Sequence, residues 1–139
     1  GITWKPRKDI TFVNYDQMDK LPSNSIDLIH AGHVLHHINS TNYTKIINMF
    51  DRVLTKDGVI VVKEHDIGDS CDNLIDLVHM MFDVVVAKRR TYIKFCQSYR
   101  ANYFSLSRWV HVFKPHFKCY QVINKHTSDS SVILYFKKQ

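Results

Sequence analysis

Leu21-Pro22-Ser23-Asn24-Ser25-Ile26-Asp27-Leu28-Ile29-His30-Ala31-Gly32 runs from a polar turn through a brief apolar stretch to a glycine. A continuous run of this length, bounded by turn residues, predicts a buried parallel strand whose exit loop begins at Ala31-Gly32. That loop carries His33, His36 and His37. From Ser40 the period changes. Tyr43, Ile46, Ile47, Phe50, Val53 and Leu54 recur at three- and four-residue spacing, predicting a helix capped by Ser40 or Thr41 and ended by Lys56-Asp57-Gly58. Val59–Val62 is a second β-branched run, followed by Lys63-Glu64-His65-Asp66. Strand, helix and strand in this order imply an α/β domain with a right-handed crossover and polar residues at the second carboxyl end.

Upstream, Ile10, Phe12 and Val13 read as a short strand entering the turn Asn14-Tyr15-Asp16. Downstream, Leu74, Ile75, Leu77, Val78, Met81, Phe82 and Val85 trace the apolar face of a helix over about residues 71–87, with Asp76 and His79 elsewhere on it. A basic and aromatic stretch follows at about residues 86–104. Ser105 or Ser107 caps a last short helix through Trp109 and Phe113, stopped by Pro115. Phe117–Asn124 and Ser131–Lys137 then read as an antiparallel pair.

The 139 residues are 45% hydrophobic and 23% charged, enough for one core, and eight Phe, seven Tyr and two Trp supply bulk for it. One domain over residues 1–139 is expected, with no repeat or linker. Cys71, Cys96 and Cys119 form no paired pattern, which suits a reducing compartment. No apolar run nears the ~20 residues of a membrane span, so a cytoplasmic protein without a membrane partner is expected. A net charge of +6 favours an anionic partner, and Lys88, Arg89, Arg90, Lys94 and Arg100 crowd one stretch among Tyr92, Phe95, Tyr99 and Tyr103. Two readings stay open there: an RNA or phosphate-binding surface, or a solvated face whose aromatics belong to the core.

Three pieces carry a resemblance: Leu21–Ile29, then Val34-Leu35-His36-His37-Ile38, then Arg52-Val53-Leu54-Thr55-Lys56-Asp57-Gly58-Val59-Ile60-Val61-Val62. Together they resemble the "LP…SFDLV", "VLHH" and "RVLKPGG" motifs of class I S-adenosylmethionine-dependent methyltransferases, in order and at family-like separations. The resemblance implies a Rossmann-like sheet, mostly parallel with a C-terminal antiparallel hairpin, whose ligands sit at the carboxyl ends of the strands. It also implies S-adenosylmethionine as cofactor. The departure is at the front: the family holds its cofactor over a glycine-rich turn, and Gly1, Gly32, Gly58 and Gly68 form no GxG. The favoured expectation is that the N-terminal half of the domain precedes residue 1, because an open sheet edge and half a core are costly to keep alone. A degenerate module is the alternative.

The resemblance places Asp16, Gln17 and Met18 against the adenine, with Asp16 preferred and Gln17 its competitor, and His30, Ala31 and Gly32 around the methionine end. His30 and His33 are the leading catalytic candidates, because methyl transfer needs alignment and, for some acceptors, one base. Glu64 and His65 face the same crevice as further catalytic candidates, with Asp66 as a substrate contact or, equally, a helix cap. Lys88, Arg89, Arg90, Tyr92 and Arg100 would overhang it and bind substrate. Asp27 is expected to order the backbone locally. Imidazoles three apart, as in His30, His33, His36 and His37, can share a metal, but no cysteine pair or carboxylate at ligand spacing joins them, so no metal is assigned. The leading expectation is methyl transfer to RNA, with the mRNA cap a candidate. The alternatives are a small-molecule methyltransferase and a non-catalytic subunit of a protein partner.

Overall fold

The computed structural model describes residue 13 and residues 15–67, 72–124 and 131–139. The expected strand at residues 10–13 falls almost wholly outside this set. A 3-10 turn, Tyr15–Lys20, leads to β1, Ile26–Gly32, and a long helix α1, Tyr43–Val53, leads to β2, Leu54–His65. β1 and β2 lie side by side and run in the same direction, with Leu28 opposite Val59, Ile29 opposite Ile60, His30 opposite Val61 and Ala31 opposite Val62. Helices α2 (Asp72–Met80), α3 (Tyr92–Ser98) and α4 (Leu106–Phe113) come next, then strands β3 (Phe117–Asn124) and β4 (Ser131–Lys138). The sheet order is β1-β2-β4-β3, and β4 is antiparallel to both its neighbours. Parallel pairing is therefore confined, among the described residues, to β1 and β2.

One face of the sheet holds the core. Ile60 of β2 sits opposite Phe136 of β4 and Val62 opposite Leu134, and all four are fully buried. Ile46, Ile47, Phe50 and Val53 of α1 and Trp109 and Phe113 of α4 join them in one cluster. Burying each such side chain contributes about 1.5–3 kcal/mol, which is why α1 keeps its three- and four-residue spacing. Among the described residues the other face is thinly covered, and Leu28 of β1 is 59% exposed. Parallel strands ordinarily need cover on both faces.

Four boundaries differ from expectation. Asn39, not Ser40 or Thr41, caps the approach to α1: its carboxamide oxygen accepts from Thr41 N at 3.1 Å, and a 3-10 turn, Ser40–Asn42, intervenes. Lys56-Asp57-Gly58 does not end the helix. Leu54 is drawn completely into the core and starts β2, while the register to β1 slips between Ile26 and Leu28, leaving residues 55–58 as a bulge. A Cβ on Gly58 would lie 2.7 Å from Leu54 Cδ1, so only glycine allows that close pass. The helix expected over 71–87 becomes α2 and a π-helical turn, Met81–Val86, closed by Ala87 N donating to Phe82 O. Its apolar face is not core: Val78, Met81, Phe82 and Val85 are about half exposed or more. At α4, Ser105 holds the cap position but its hydroxyl caps no backbone N–H, and Asp66 Oδ1 instead accepts from Leu106 N at 2.8 Å.

Candidate functional site

The carboxyl ends of β1 and β2 are tied together by one buried carboxylate. His33 N donates to Lys63 O at 2.7 Å, carrying the parallel ladder one residue past β1. His33 then takes φ of 49°, a left-handed conformation that turns the chain across the strand end. The next residues form a short 3-10 turn, Leu35–His37, whose leading amides need an acceptor. Glu64 supplies it from the end of β2, fully buried. Its Oε1 accepts from Val34 N at 3.0 Å and Leu35 N at 2.7 Å, and its Oε2 accepts from His36 Nδ1 at 2.5 Å. Tyr43 OH donates to Leu35 O, and Asn102 N and Nδ2 donate to His36 O and Ile38 O. The loop is fixed on every side.

Above this brace lies a cluster of imidazoles. The His33 and His65 rings are 4.6 Å apart, His36 and His65 5.3 Å, His36 and His37 4.0 Å, and His37 and His79 of α2 5.4 Å. Burial lowers the pKa of His33, His37 and His79 below 6.5, and neighbouring imidazoles lower each further: His65 acts on His33, His36 on His37, and His37 on His79. His33 Nδ1 and His36 Nε2 are buried without a hydrogen-bond partner among the described residues. Tyr99 OH meets His79 Nδ1 at 2.8 Å and Tyr103 OH at 2.7 Å, and Tyr103 OH donates to Asp76 Oδ1. Burial raises both phenols, Tyr99 to about 12.

A cavity of about 640 Å³ opens beside the cluster, lined by His37, Val78, His79, Tyr99, Arg89 and Arg100 among others. That is the size of a small-molecule pocket. Two of its basic residues are partly spoken for: Asp83 pairs with Arg90 at 3.0 Å and more loosely with Arg89 at 3.9 Å.

Of the residues singled out in the sequence, His33, Glu64 and His65 meet at one point, and Arg89, Arg90 and Arg100 line the cavity. His30 is exposed on the thinly covered face, beside Gly32, where a Cβ would lie 3.1 Å from its ring. Ala31 faces the core. Met18 packs partly buried on that core and Gln17 is exposed, while the side chain of Asp16 lies outside the described set. Lys88 takes φ of 50° at the exit of the π-helical turn, and Tyr92 is exposed at the start of α3. Asp66 caps α4, and Asp27 accepts from Thr55 across the strands at 2.9 Å. His36, from the histidine motif, and Tyr99 and Tyr103, from the basic and aromatic stretch, gather at the site with His79 of α2, which no sequence spacing announces.

Residues 3–62 match the family model described as a methyltransferase domain. The fold is one that solved methyltransferases share. The pyocyanin biosynthetic protein PhzM superposes with a TM-score of 0.59 at 9% identity, covering 88% of this chain and 33% of PhzM. PH0226 from Pyrococcus horikoshii superposes at 0.58 and 13% identity, covering 86% and 54%. The calicheamicin biosynthetic methyltransferase CalO1, solved with S-adenosylhomocysteine, does so at 0.58 and 16%, covering 91% and 34%. The chain thus spans between a third and just over half of these structures. No curated protein sequence matches it. In methyltransferase terms, the crevice at the ends of β1 and β2 is where ligands of such a sheet sit. Among the described residues, no helix is long and apolar enough to cross a membrane.

Proposed function

We propose that this chain is part of an S-adenosylmethionine-dependent methyltransferase whose acceptor is a small molecule bearing an ionisable O–H or N–H. The strongest support is the Glu64 brace, which sets a rigid group of imidazoles at the carboxyl ends of two parallel strands, beside a cavity of small-molecule size. When bound, S-adenosylmethionine supplies a methyl group on a sulfonium. Gln17 and Met18, with Asp16, would hold its adenine side, and His30, Ala31 and Gly32 its methionine side. A Cβ at Gly32 would lie 3.1 Å from the exposed His30 ring, which would have to give way by a few tenths of an ångström. The chain carries one wall of such a cradle and no GxG turn.

His33 takes the acceptor's proton in this scheme. Burial first, and the neighbouring His65 imidazole second, lower its pKa below 6.5 and so favour the neutral form a base needs. Arg89 and Arg100 orient an acceptor with anionic character at the cavity wall. A pocket-sized acceptor is favoured over RNA by the aromatics. Tyr99 already stacks on Phe95 at 4.5 Å and Tyr103 on His36 at 5.3 Å, so one face of each ring is taken, while Tyr92 stands 59% exposed.

The test is transfer of a labelled methyl group, by the full natural chain, to a panel of phenols, catechols and imidazoles beside capped and uncapped RNA. Transfer to a small acceptor, little changed by salt, is expected. Transfer to RNA alone, falling steeply with salt, would overturn the choice of acceptor. No transfer to any acceptor together with no S-adenosylhomocysteine binding would overturn methyl transfer itself.

A further inference from the structure

We propose that His36, His37 and His79 form a binding site for a divalent transition-metal ion of the zinc type, set in the wall of the 640 Å³ cavity. One ring nitrogen from each lies within 4.8 Å of the others. Around a tetrahedral ion with Zn–N of about 2.0–2.1 Å, ligand nitrogens stand roughly 3.4 Å apart. The contraction needed falls to His37, the exposed member of the three.

Proximity alone would be weak grounds, but the hydrogen bonds decide which nitrogens are available. A carboxylate only accepts, so Glu64 holds the His36 proton on Nδ1 and leaves Nε2 as a bare lone pair. That Nε2 is buried and has no partner among the described residues, an omission that ordinarily costs about 1–3 kcal/mol. For His79 the assignment runs back from Asp76. Tyr103 donates its hydroxyl proton to Asp76, so its oxygen must accept from Tyr99 OH, and the Tyr99 oxygen must accept from His79 Nδ1. His79 Nε2 is thereby left as the lone pair. His37 completes the set from the cavity wall, offering one ring nitrogen.

His36 and His79 are therefore each oriented by an acceptor behind the ring, as metal-binding histidines characteristically are. Three neutral nitrogen donors with no thiolate favour Zn²⁺, Cu²⁺ or Ni²⁺ over Ca²⁺ or Mg²⁺, and a three-histidine set leaves a fourth position open. His37 and His79 line the cavity, so that position faces it. An acceptor oxygen could bind there, a link that depends on the methyl-transfer proposal. The site itself does not.

The test is calorimetric titration of ZnCl₂ into the chain after EDTA treatment and desalting, with Co²⁺ absorption as a geometric readout. One ion per chain and the visible bands of tetrahedral cobalt are expected. His79→Ala and His37→Ala should each weaken binding at least 100-fold, and Glu64→Gln about 10- to 100-fold, since glutamine would donate to Nδ1 and move the His36 proton onto Nε2. His37 is exposed, so its variant keeps the fold, checked by circular dichroism. Absence of one-to-one binding, or binding that survives both alanine variants, would overturn the site. S-adenosylhomocysteine affinity measured with and without EDTA keeps this outcome separate from methyl transfer: a failed metal site leaves that affinity untouched.

Discussion

Replacing Glu64 with Leu removes the acceptor for Val34 N, Leu35 N and His36 Nδ1 at one stroke. Leucine fits the volume and needs no hydration, so the loss comes from the donors left behind in a fully buried place. Removing one partner of a buried charged interaction costs about 3–5 kcal/mol. For a chain of this size, at about 3–5 °C of Tm per kcal/mol, that is a fall of roughly 10–25 °C. Glu64→Gln separates the parts. Its carbonyl still accepts from both loop amides, and its amide faces His36, which must move its proton to Nε2, so the expected loss is only about 1 kcal/mol. Urea unfolding followed by tryptophan fluorescence measures both, Trp109 being fully buried against this loop's neighbours. A Glu64→Leu chain within 1 kcal/mol of the parent, or a Glu64→Gln chain as damaged as Glu64→Leu, would refute the brace.

Other consequences follow from the same geometry. His33, His37 and His79 all have lowered pKa values, so their contribution to stability is complete above pH 6.5 and lost as the pH falls below it; urea midpoints from pH 7.5 to 5 should drop, and a flat profile would contradict the burial of the cluster. Tyr43, raised to about 12 chiefly by burial, contributes stability in full below pH 10 and loses it between pH 10 and about 12, a loss that Tyr43→Phe should abolish at a cost of about 1 kcal/mol at neutral pH. Asp66→Ala should cost about 0.5–2 kcal/mol through the lost bond to Leu106 N, with Asp66→Asn nearly neutral; a large change in acceptor KM with unchanged stability would instead restore it as a substrate contact.

The strand-helix-strand unit from Ser25 to His65 was legible because its apolar runs, helical period and turn residues all point the same way. Asn39 escaped notice because Ser40 and Thr41 are equally good caps, and only the 3-10 turn decides among them. The start of β2 was misplaced because Asp57-Gly58 reads as a helix stop, whereas burial of Leu54 pulls the chain into the sheet at once. The α2 face shows the limit of periodicity, which detects an apolar stripe without saying what covers it. That His33, Glu64 and His65 lie together is legible because the topology puts strand ends side by side. The link of Tyr99 and Tyr103 to His79 is not legible, because their chain of hydrogen bonds runs through partners distant in sequence.

The central claim is that the ends of β1 and β2 cradle the cofactor of a methyltransferase. Calorimetric titration of S-adenosylhomocysteine into the full natural chain measures it directly, with Gly32→Val as the comparison. Saturable one-to-one binding, weakened at least tenfold by Gly32→Val in a chain of unchanged circular dichroism, is the predicted result. No heat of binding to the parent chain, or equal affinity in the variant, would contradict it.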